Sequence, residues 1–179
     1  SRDPRFLRID DLAATSGATV AEAGTIDAMV GCSPEVFELV RPVIGCWAAN
    51  INHIGPVGSA HKMKLIMNFI AMGYAALYSE ALAIGARSGI SPATVRRVIG
   101  ASRMSNGFFE TFMTGAVGRD REVHKFTITN AAKDLRYCAQ MAMAGGMANP
   151  MAPFTKPAKA VTAKIVQNCQ GSSPNMRAS

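Results

Sequence analysis

The chain has 179 residues, 49% of them hydrophobic and 17% charged, which is typical of a globular protein and excludes a disordered one. The net charge of +7 comes from scattered lysines and arginines without a basic run or a nucleic-acid-binding motif, so a nucleic-acid-binding module is the weakest reading that we keep. The cysteines lack metal-ligand spacing, and no signal peptide or apolar run of transmembrane length is visible, which predicts a cytoplasmic protein without a metal site or a membrane span.

Two short strands are predicted near the start of the chain. Residues 5–9 alternate charged and apolar side chains, and residues 26–30 (IDAMV) again have the composition of a strand. A loop of small residues, 13–17 (AATSG), lies between them. Because two short strands do not form a sheet that is stable alone, we expect them to be the edge of something larger.

Capping residues predict most of the helices that follow. Residues 33–35 (SPE) combine a hydroxyl N-cap, a proline at the first helical position and an acid near the positive end of the helix. Residues 91–92 (SP) repeat this pattern, and Gly89 supplies a left-handed cap for the helix before them. The predicted elements are a helix from residue 33, an extended piece at 50–55, helices at 59–88 and 91–99, a loop and a short helix within 100–125, and helices at 129–144 and 152–168.

These elements predict a mainly α protein in three parts. Residues 1–32 hold the two terminal strands, residues 33–58 form a connecting helix and strand, and residues 59–179 form an all-helical domain. Cys46 and Cys138 lie in apolar helical contexts and are predicted to be small buried hydrophobic side chains.

The start of the long helix, GPVGSAHKMKLIMN, has the residues of greatest chemical interest. Lys64 and Asn68 are four residues apart and therefore share one face of a helix, on the same stripe as His61. Gly55 and Gly58 precede the helix, where missing side chains allow a ligand or another backbone to come close. Spacing alone does not decide for a site, because a lysine and an asparagine on one helix face are most often solvated.

Several segments resemble the β-hydroxyacid dehydrogenases, a family that includes 3-hydroxyisobutyrate dehydrogenase, tartronate semialdehyde reductase and the 6-phosphogluconate dehydrogenases. GPVGSAHKMKLIMNF, SEALAIGARSGIS and FTITNAAKDL resemble its C-terminal half, and AEAGTIDAMVG resembles the segment before its interdomain helix. The likeness runs from about Asp10 to Asn175 in the family's order. It implies a 6-phosphogluconate dehydrogenase C-terminal-like helical domain, preceded by two strands left over from a Rossmann domain.

The resemblance also implies roles for three residues of the helical part. Lys64 matches the family's catalytic lysine, and Asn68 matches the asparagine that holds the substrate. A lysine can accept the hydroxyl proton of a 3-hydroxy acid when burial and a cationic cofactor ring lower its pKa. Lys133 matches the family's lysine that reaches towards the cofactor and the substrate.

The small-residue loop resembles the family's Ser-Gly-Gly segment, which holds the substrate carboxylate through a hydroxyl and backbone N–H groups. Ser16 and Gly17 are the best match, although a gapless count back from AEAGT puts Thr15 at the serine position. Ala18 stands where the second glycine is expected, and a plain turn remains an equal interpretation of this composition.

Residues at three positions, 60, 67 and 71, differ from the motifs of the family or of one of its branches. Ala60 replaces the second glycine of the loop before the long helix, and Met67 replaces the first of two paired asparagines. Met67 and Ala71 also stand where the 6-phosphogluconate branch has a histidine and a catalytic glutamate. Decarboxylating chemistry on a sugar phosphate is therefore not expected.

The family binds NAD or NADP through an N-terminal Rossmann domain, and no G-x-G-x-x-G fingerprint is present in this chain. We therefore expect the substrate side of a 3-hydroxy acid dehydrogenase or semialdehyde reductase, bound to its cofactor mainly by a missing N-terminal domain and inactive alone. Family members form dimers or tetramers through these helices. A non-catalytic dimerisation or binding module of the same fold is the alternative.

Overall fold

The computed structural model describes residues 11–14, 26–120, 123 and 127–148. The predicted strand at 5–9, residues 15–17 of the predicted small-residue loop and the predicted helix at 152–168 lie outside the described residues. The prediction of a loop is wrong for residues 13 and 14, which belong to a strand. The chain divides into two compact units, Ser1–Met67 and Asn68–Ser179. The described elements are β1 (Leu12–Ala14), β2 (Ile26–Gly31), α1 (Pro34–Ile44), β3 (Ala48–Gly55), α2 (Ser59–Arg87), α3 (Pro92–Gly100), α4 (Gly107–Gly118) and α5 (Ile128–Ala144).

The first unit contains a sheet of three strands in the order β1-β2-β3. β1 runs antiparallel to β2, and β2 runs parallel to β3. The predicted strand at 26–30 and the predicted extended piece at 50–55 are confirmed, although β3 begins earlier, at Ala48, and pairs along the length of β2. A parallel pair needs a crossover connection, and α1 supplies it as the helix of a βαβ unit.

One face of this sheet packs against α1. Ala28 and Val30 of β2 are fully buried, together with Val40 and Ile44 on the inner side of the helix. The predicted N-cap is confirmed, since the hydroxyl of Ser33 accepts a hydrogen bond from the Val36 N–H at 3.4 Å. The position of α1 thus follows from its cap and its apolar stripe.

The opposite face of the sheet packs against the first turn of α2. Ala13 of β1, Met29 of β2 and Ala60 of α2 form a small buried cluster. Ala60 is fully buried, so the helix backbone comes close to the strands at this point. The alternation of side chains along β2 therefore holds a helix on each face of the sheet.

The second unit begins within α2, which ends as the sequence predicts. Gly89 has φ +76°, the Gly89 N–H donates to Ala86 O at 3.3 Å, and the Ile90 N–H donates to Gly85 O at 2.8 Å. This pair of bonds is a Schellman motif, which satisfies carbonyls left without partners at the helix end. Ser91, Asn106 and Thr127 then cap α3, α4 and α5.

Aromatic and small side chains form the interior of the second unit. Phe109 and Met113 of α4 are almost fully buried, and the Tyr78 ring of α2 meets the Phe109 ring edge-on at 5.2 Å between centroids. The prediction that Cys138 is buried is confirmed. The same prediction for Cys46, in the first unit, is wrong, because that residue follows the end of α1 and is exposed.

The surface of α2 is unusually apolar. Among the described helices it is the one long and apolar enough to cross a membrane, judged by length and composition alone, so the expectation of no such run is wrong. Its most apolar window has a mean hydropathy of 1.4, yet 11% of that window is buried within the chain. Core helices of soluble proteins meet the same criterion. An extended apolar surface that is exposed is typically a site where another molecule binds.

Replacing Gly31 with alanine is expected to destabilise the first unit by about 1–3 kcal/mol, because an added methyl group overpacks this point. A Cβ atom here would lie 2.8 Å from Asp11 Cγ and 2.9 Å from the backbone oxygen of Pro56. Urea unfolding of the two proteins measures the difference. Gly107→Ala is the matched control, since no heavy atom lies within 4 Å of its added Cβ, and equal losses in both variants would contradict the packing argument.

Candidate active site

A buried carboxylate lies at the N-terminus of α2. Asp11 is 1% exposed and directly precedes β1. Its Oδ2 accepts a hydrogen bond from the Ala60 N–H at 2.8 Å, and its Oδ1 accepts one from the His61 N–H at 3.0 Å. The first turn of α2 contains no acidic residue of its own, so Asp11 satisfies the helix from 49 residues away.

The ring of His61 completes the surroundings of this carboxylate. Its Nδ1 contacts the same Oδ1 atom that accepts the His61 backbone N–H. Burial alone would raise the pKa of Asp11, but the His61 ring and the two backbone N–H groups outweigh it and hold the pKa below its ordinary value. Asp11 is therefore held as a carboxylate.

The main chain of Asp11 is fixed as firmly as its side chain. The Gly31 N–H at the end of β2 donates to Asp11 O at 2.9 Å. Because Gly31 has no side chain, the carboxylate of Asp11 can occupy the space beside it. One residue thus joins the start of β1, the end of β2 and the start of α2.

Lys64 lies on α2 in the first unit, one turn after Ala60, and its side chain is partly buried. Residues four apart share a helix face, so Lys64 continues the side of α2 that Ala60 packs against the sheet. Lys62, which stands two residues earlier, is exposed. The orientation of α2 therefore separates a lysine near the sheet from one in solvent.

Asn68 belongs to a polar cluster in the second unit. Its Nδ2 donates to Asp134 Oδ2 at 2.7 Å, and Lys133 Nζ lies 3.3 Å from Asp134 Oδ1. The Asp134 side chain is 13% exposed and the Lys133 side chain 46%. Because the amide nitrogen of Asn68 faces Asp134, its carbonyl oxygen lies on the other side of the amide, as an acceptor.

The glycines before α2 have backbone reasons for being glycine. Gly55 has φ +145° and Gly58 has φ +94°, both in a region that other residues rarely adopt. No heavy atom lies within 4 Å of a Cβ built at Gly58, so space is open beside that turn. The conformation of the turn, as well as a close approach, therefore requires these residues.

A hollow of about 590 Å³ opens at the carboxyl ends of β2 and β3. In open α/β sheets this end of parallel strands is where ligands bind. His53 lies in the wall, where its Nε2 is 2.8 Å from the carbonyl oxygen of Cys32 and its ring stacks on Phe37. The lining residues are Cys32, Ser33, Pro34, His53, Gly55, Pro56 and Val57.

The structure describes some of the predicted site residues but not others. Lys64, Asn68 and Lys133 lie on described helices, and Lys133 and Asn68 meet through Asp134. The predicted substrate-loop residues Thr15, Ser16 and Gly17 fall outside the described part. Within the described ranges no group of three or more His, Cys, Asp or Glu side chains could hold a metal ion.

Sequence reasoning missed the importance of Asp11 and of the Asn68–Asp134 hydrogen bond. An aspartate at a strand start gives no local sign that it caps a helix 49 residues later. Asn68 and Asp134 are 66 residues apart, so their pairing has no sequence pattern either. The one available signal was the absence of an acidic or hydroxyl N-cap with normal spacing before α2, which calls for a partner from elsewhere.

Comparisons with known proteins agree on one family. Residues 58–175 match the family described as "NAD-binding of NADP-dependent 3-hydroxyisobutyrate dehydrogenase". The 2-(hydroxymethyl)glutarate dehydrogenase of Eubacterium barkeri is 30% identical over 141 residues, which is 79% of this chain and 47% of that protein. The NAD-dependent L-serine dehydrogenase of Pseudomonas aeruginosa is 28% identical over 82% of this chain and 51% of its own length.

A solved structure shows the same fold. The 3-hydroxyisobutyrate dehydrogenase of Mycobacterium tuberculosis, described with L-serine, matches with a TM-score of 0.76 at 20% identity. The match covers 90% of this chain and 60% of that one. The chain spans about half the length of the curated relatives it matches.

Exchanging the two side chains of the Asn68–Asp134 pair tests this hydrogen bond. Asn68→Asp alone is expected to lower the free energy of unfolding by about 1–3 kcal/mol at neutral pH, because two carboxylates then face each other across a distance of 2.7 Å. The loss should shrink as the pH falls and one carboxylate takes up a proton. The double variant Asn68→Asp/Asp134→Asn should recover most of the stability, and a double variant as unstable as the sum of its parts would contradict the pairing.

Proposed function

The chain belongs to the family of NAD(P)-dependent 3-hydroxyisobutyrate dehydrogenases, and we propose that it forms the substrate side of an oxidoreductase acting on a small 3-hydroxy acid. The named substrates of the relatives share one chemical pattern. In 2-(hydroxymethyl)glutarate, L-serine and 3-hydroxyisobutyrate, a primary hydroxyl group lies on the carbon next to the one that bears the carboxylate. 3-Hydroxyisobutyrate has this pattern, and 2-hydroxy-3-oxopropionate is an aldehyde whose reduction gives an acid of the same pattern.

The proposal depends on Lys64 on the sheet-facing side of α2. Oxidation of an alcohol removes a proton from the hydroxyl group as well as a hydride from carbon, and a partly buried lysine is suited to accept that proton. In the reverse direction the ammonium group of Lys64 donates it to the forming alkoxide. We therefore assign Lys64 as the catalytic acid and base.

Asn68 is proposed to hold the substrate. Four residues along α2 from Lys64, it lies on the same helix face one turn later. Its amide nitrogen donates a hydrogen bond to Asp134, so its carbonyl oxygen can accept one from the substrate hydroxyl. The neutral amide adds no charge to the site. Thr15, Ser16 and Gly17 are proposed, from the family resemblance, to hold the carboxylate.

The described residues are suited to bind the nicotinamide end of the cofactor. The hollow beyond β2 and β3 is lined largely by apolar groups such as Pro34, Pro56 and Val57, which fit a flat ring better than a pyrophosphate. A nicotinamide cofactor would supply the hydride acceptor when bound. We propose that Lys133 contacts the cofactor and that most of its binding comes from the part of the relatives that this chain does not cover, although the matched family is itself described as NAD-binding.

A second candidate function, a dimerisation module, is favoured by one observation. Ile70, Tyr74, Leu77 and Ile84 recur at helical spacing along α2 and are all exposed, Leu77 and Ile84 to 61%. A continuous apolar stripe of this kind marks a surface that another protein covers. We propose that a second copy of the chain covers it in a homodimer or tetramer, with or without catalysis.

A cover of protein rather than lipid fits the rest of the chain. The match to a dehydrogenase fold extends over 90% of its length. Cys32, Cys46 and Cys138 are free thiols, which agrees with the reducing cytoplasm that we propose as the location.

Replacing Lys64 with alanine is expected to lower turnover of a 3-hydroxy acid at least ~100-fold, because the proton acceptor is lost. Binding of NADH or NADPH should be unchanged. Steady-state kinetics with 3-hydroxyisobutyrate and L-serine, and fluorescence titration with both cofactors, measure the two effects in a polypeptide that joins this chain to an N-terminal cofactor domain.

Lys62→Ala is the matched control, since Lys62 is an exposed lysine on the same helix. Near-normal turnover in Lys64→Ala would contradict the assignment, and an inactive Lys62→Ala would show that loss of any charge on this helix suffices. The same cofactor titration on the 179-residue chain is expected to show no binding. Saturable micromolar binding would mean that the cofactor site lies within the chain.

Replacing Leu77 with glutamate is expected to convert a dimer to a monomer, because a charge would be buried at the centre of the apolar stripe. Light scattering coupled to size-exclusion chromatography measures the mass, and vesicle flotation tests lipid as the cover. Leu39→Glu on α1 is the control, since Leu39 is also 61% exposed but lies outside the stripe. A monomeric wild-type chain, or loss of the dimer in both variants, would argue against this surface.

A further inference from the structure

We propose that Asp11 is the positioning residue for Lys64, fixing the first turn of α2 against the sheet so that the lysine is held in place for proton transfer. The proposal rests on the proposed function only for the role of Lys64. The physical connection itself depends on described contacts of the first unit alone.

The first step is the cap. The first N–H groups of a helix have no acceptor within the helix, and the Ala60 and His61 N–H groups of α2 use the Asp11 carboxylate. The next N–H group, that of Lys62, already bonds within the helical ladder to Gly58 O at 3.2 Å. Asp11 therefore fixes the part of the helix that its own ladder leaves loose.

The second step is rigidity. The carboxylate is 1% exposed and lies beside Gly31, where no side chain could fit, while the backbone oxygen of Asp11 accepts the Gly31 N–H. Ala60 is packed against Ala13 and Met29 on the sheet. The start of α2 can neither rotate nor slide without breaking charge-assisted hydrogen bonds in a buried place.

The third step is the effect of the first turn of α2 on the position of Lys64. Lys64 lies one turn after Ala60 on the same helix face, so rotation of the first turn displaces its side chain directly. A misplacement of about 1 Å can lower a rate of reaction roughly 100-fold.

Amide hydrogen exchange in the chain itself tests the cap without any assay of activity. Asp11→Ala is expected to speed exchange of the Ala60 and His61 amides roughly 10-fold or more, while amides in the middle of α2 stay protected. Asp11→Asn offers one acceptor oxygen instead of two, so at least one of the two amides should lose protection even if Asp11→Ala does not fold. Unchanged exchange of both amides in Asp11→Asn would overturn the proposal.

Asp27→Asn is the matched control. Asp27 is an aspartate of the same sheet whose Oδ1 accepts from Asn50 Nδ2 at 2.6 Å, on the neighbouring strand instead of a helix N-terminus. This variant should leave exchange of the Ala60 and His61 amides at the wild-type rate. A similar increase in Asp27→Asn would show general loosening of the sheet and overturn the specific role.

Kinetics of a polypeptide that joins this chain to an N-terminal cofactor domain then separate positioning from stability. Asp11→Asn, assayed at low temperature and corrected for the folded fraction, is expected to lower kcat roughly 10–100-fold while KM for NAD(P) is unchanged. A kcat within twofold of wild type, in a protein where Lys64→Ala abolishes turnover, would overturn positioning. If Lys64→Ala itself stays active, the proposed function fails, and hydrogen exchange still decides whether Asp11 is the cap.

Discussion

The carboxylate of Asp11 at the N-terminus of α2 is the interaction on which the arrangement of the first unit depends. Two backbone N–H groups and the ring of His61 converge on it in a place that is almost fully buried. Removing a charge from water is costly, and the cost is offset here because the two backbone donors, the Ala60 and His61 N–H groups, are already fixed by the helix. These directional hydrogen bonds define the angle between α2 and the sheet, whereas an apolar contact alone would allow several angles.

This junction gives α2 two different tasks along its length. Its first turns belong to the sheet, where Ala60 is buried and Lys64, one turn later, is partly buried. Its later turns belong to the second unit, where Asn68 bonds to Asp134 and Tyr78 packs against the aromatic rings of α4. α2 shows weak amphipathicity along its length. This explains why composition alone cannot distinguish it from a membrane-spanning helix.

Local interactions could be predicted from the sequence, and distant ones could not. The caps at Ser33 and Ser91 and the glycine at the end of α2 involve residues within a few positions of each other, so their patterns are visible in the sequence. β3 was underestimated because its polar composition, AANINHIG, hides a strand that is held mainly by pairing with β2. The candidate residues Lys64, Asn68 and Lys133 came from resemblance. Asp11, which caps α2, and Asp134, which accepts from Asn68, are separated from their partners on α2 by dozens of residues and required the structure.

The long sequence separation between Asp11 and α2 also has a consequence for the order in which the chain folds. The β2-α1-β3 segment brings together residues that are close in sequence, so its entropy cost of loop closure is small and it can form early. We expect Asp11 to meet its donors after that segment has formed, because β1 pairs with β2 and α2 follows β3. On that order the carboxylate stays hydrated until a late stage of folding. The same bonds that fix the first turn of α2 are therefore expected to be among the last contacts of the first unit to form.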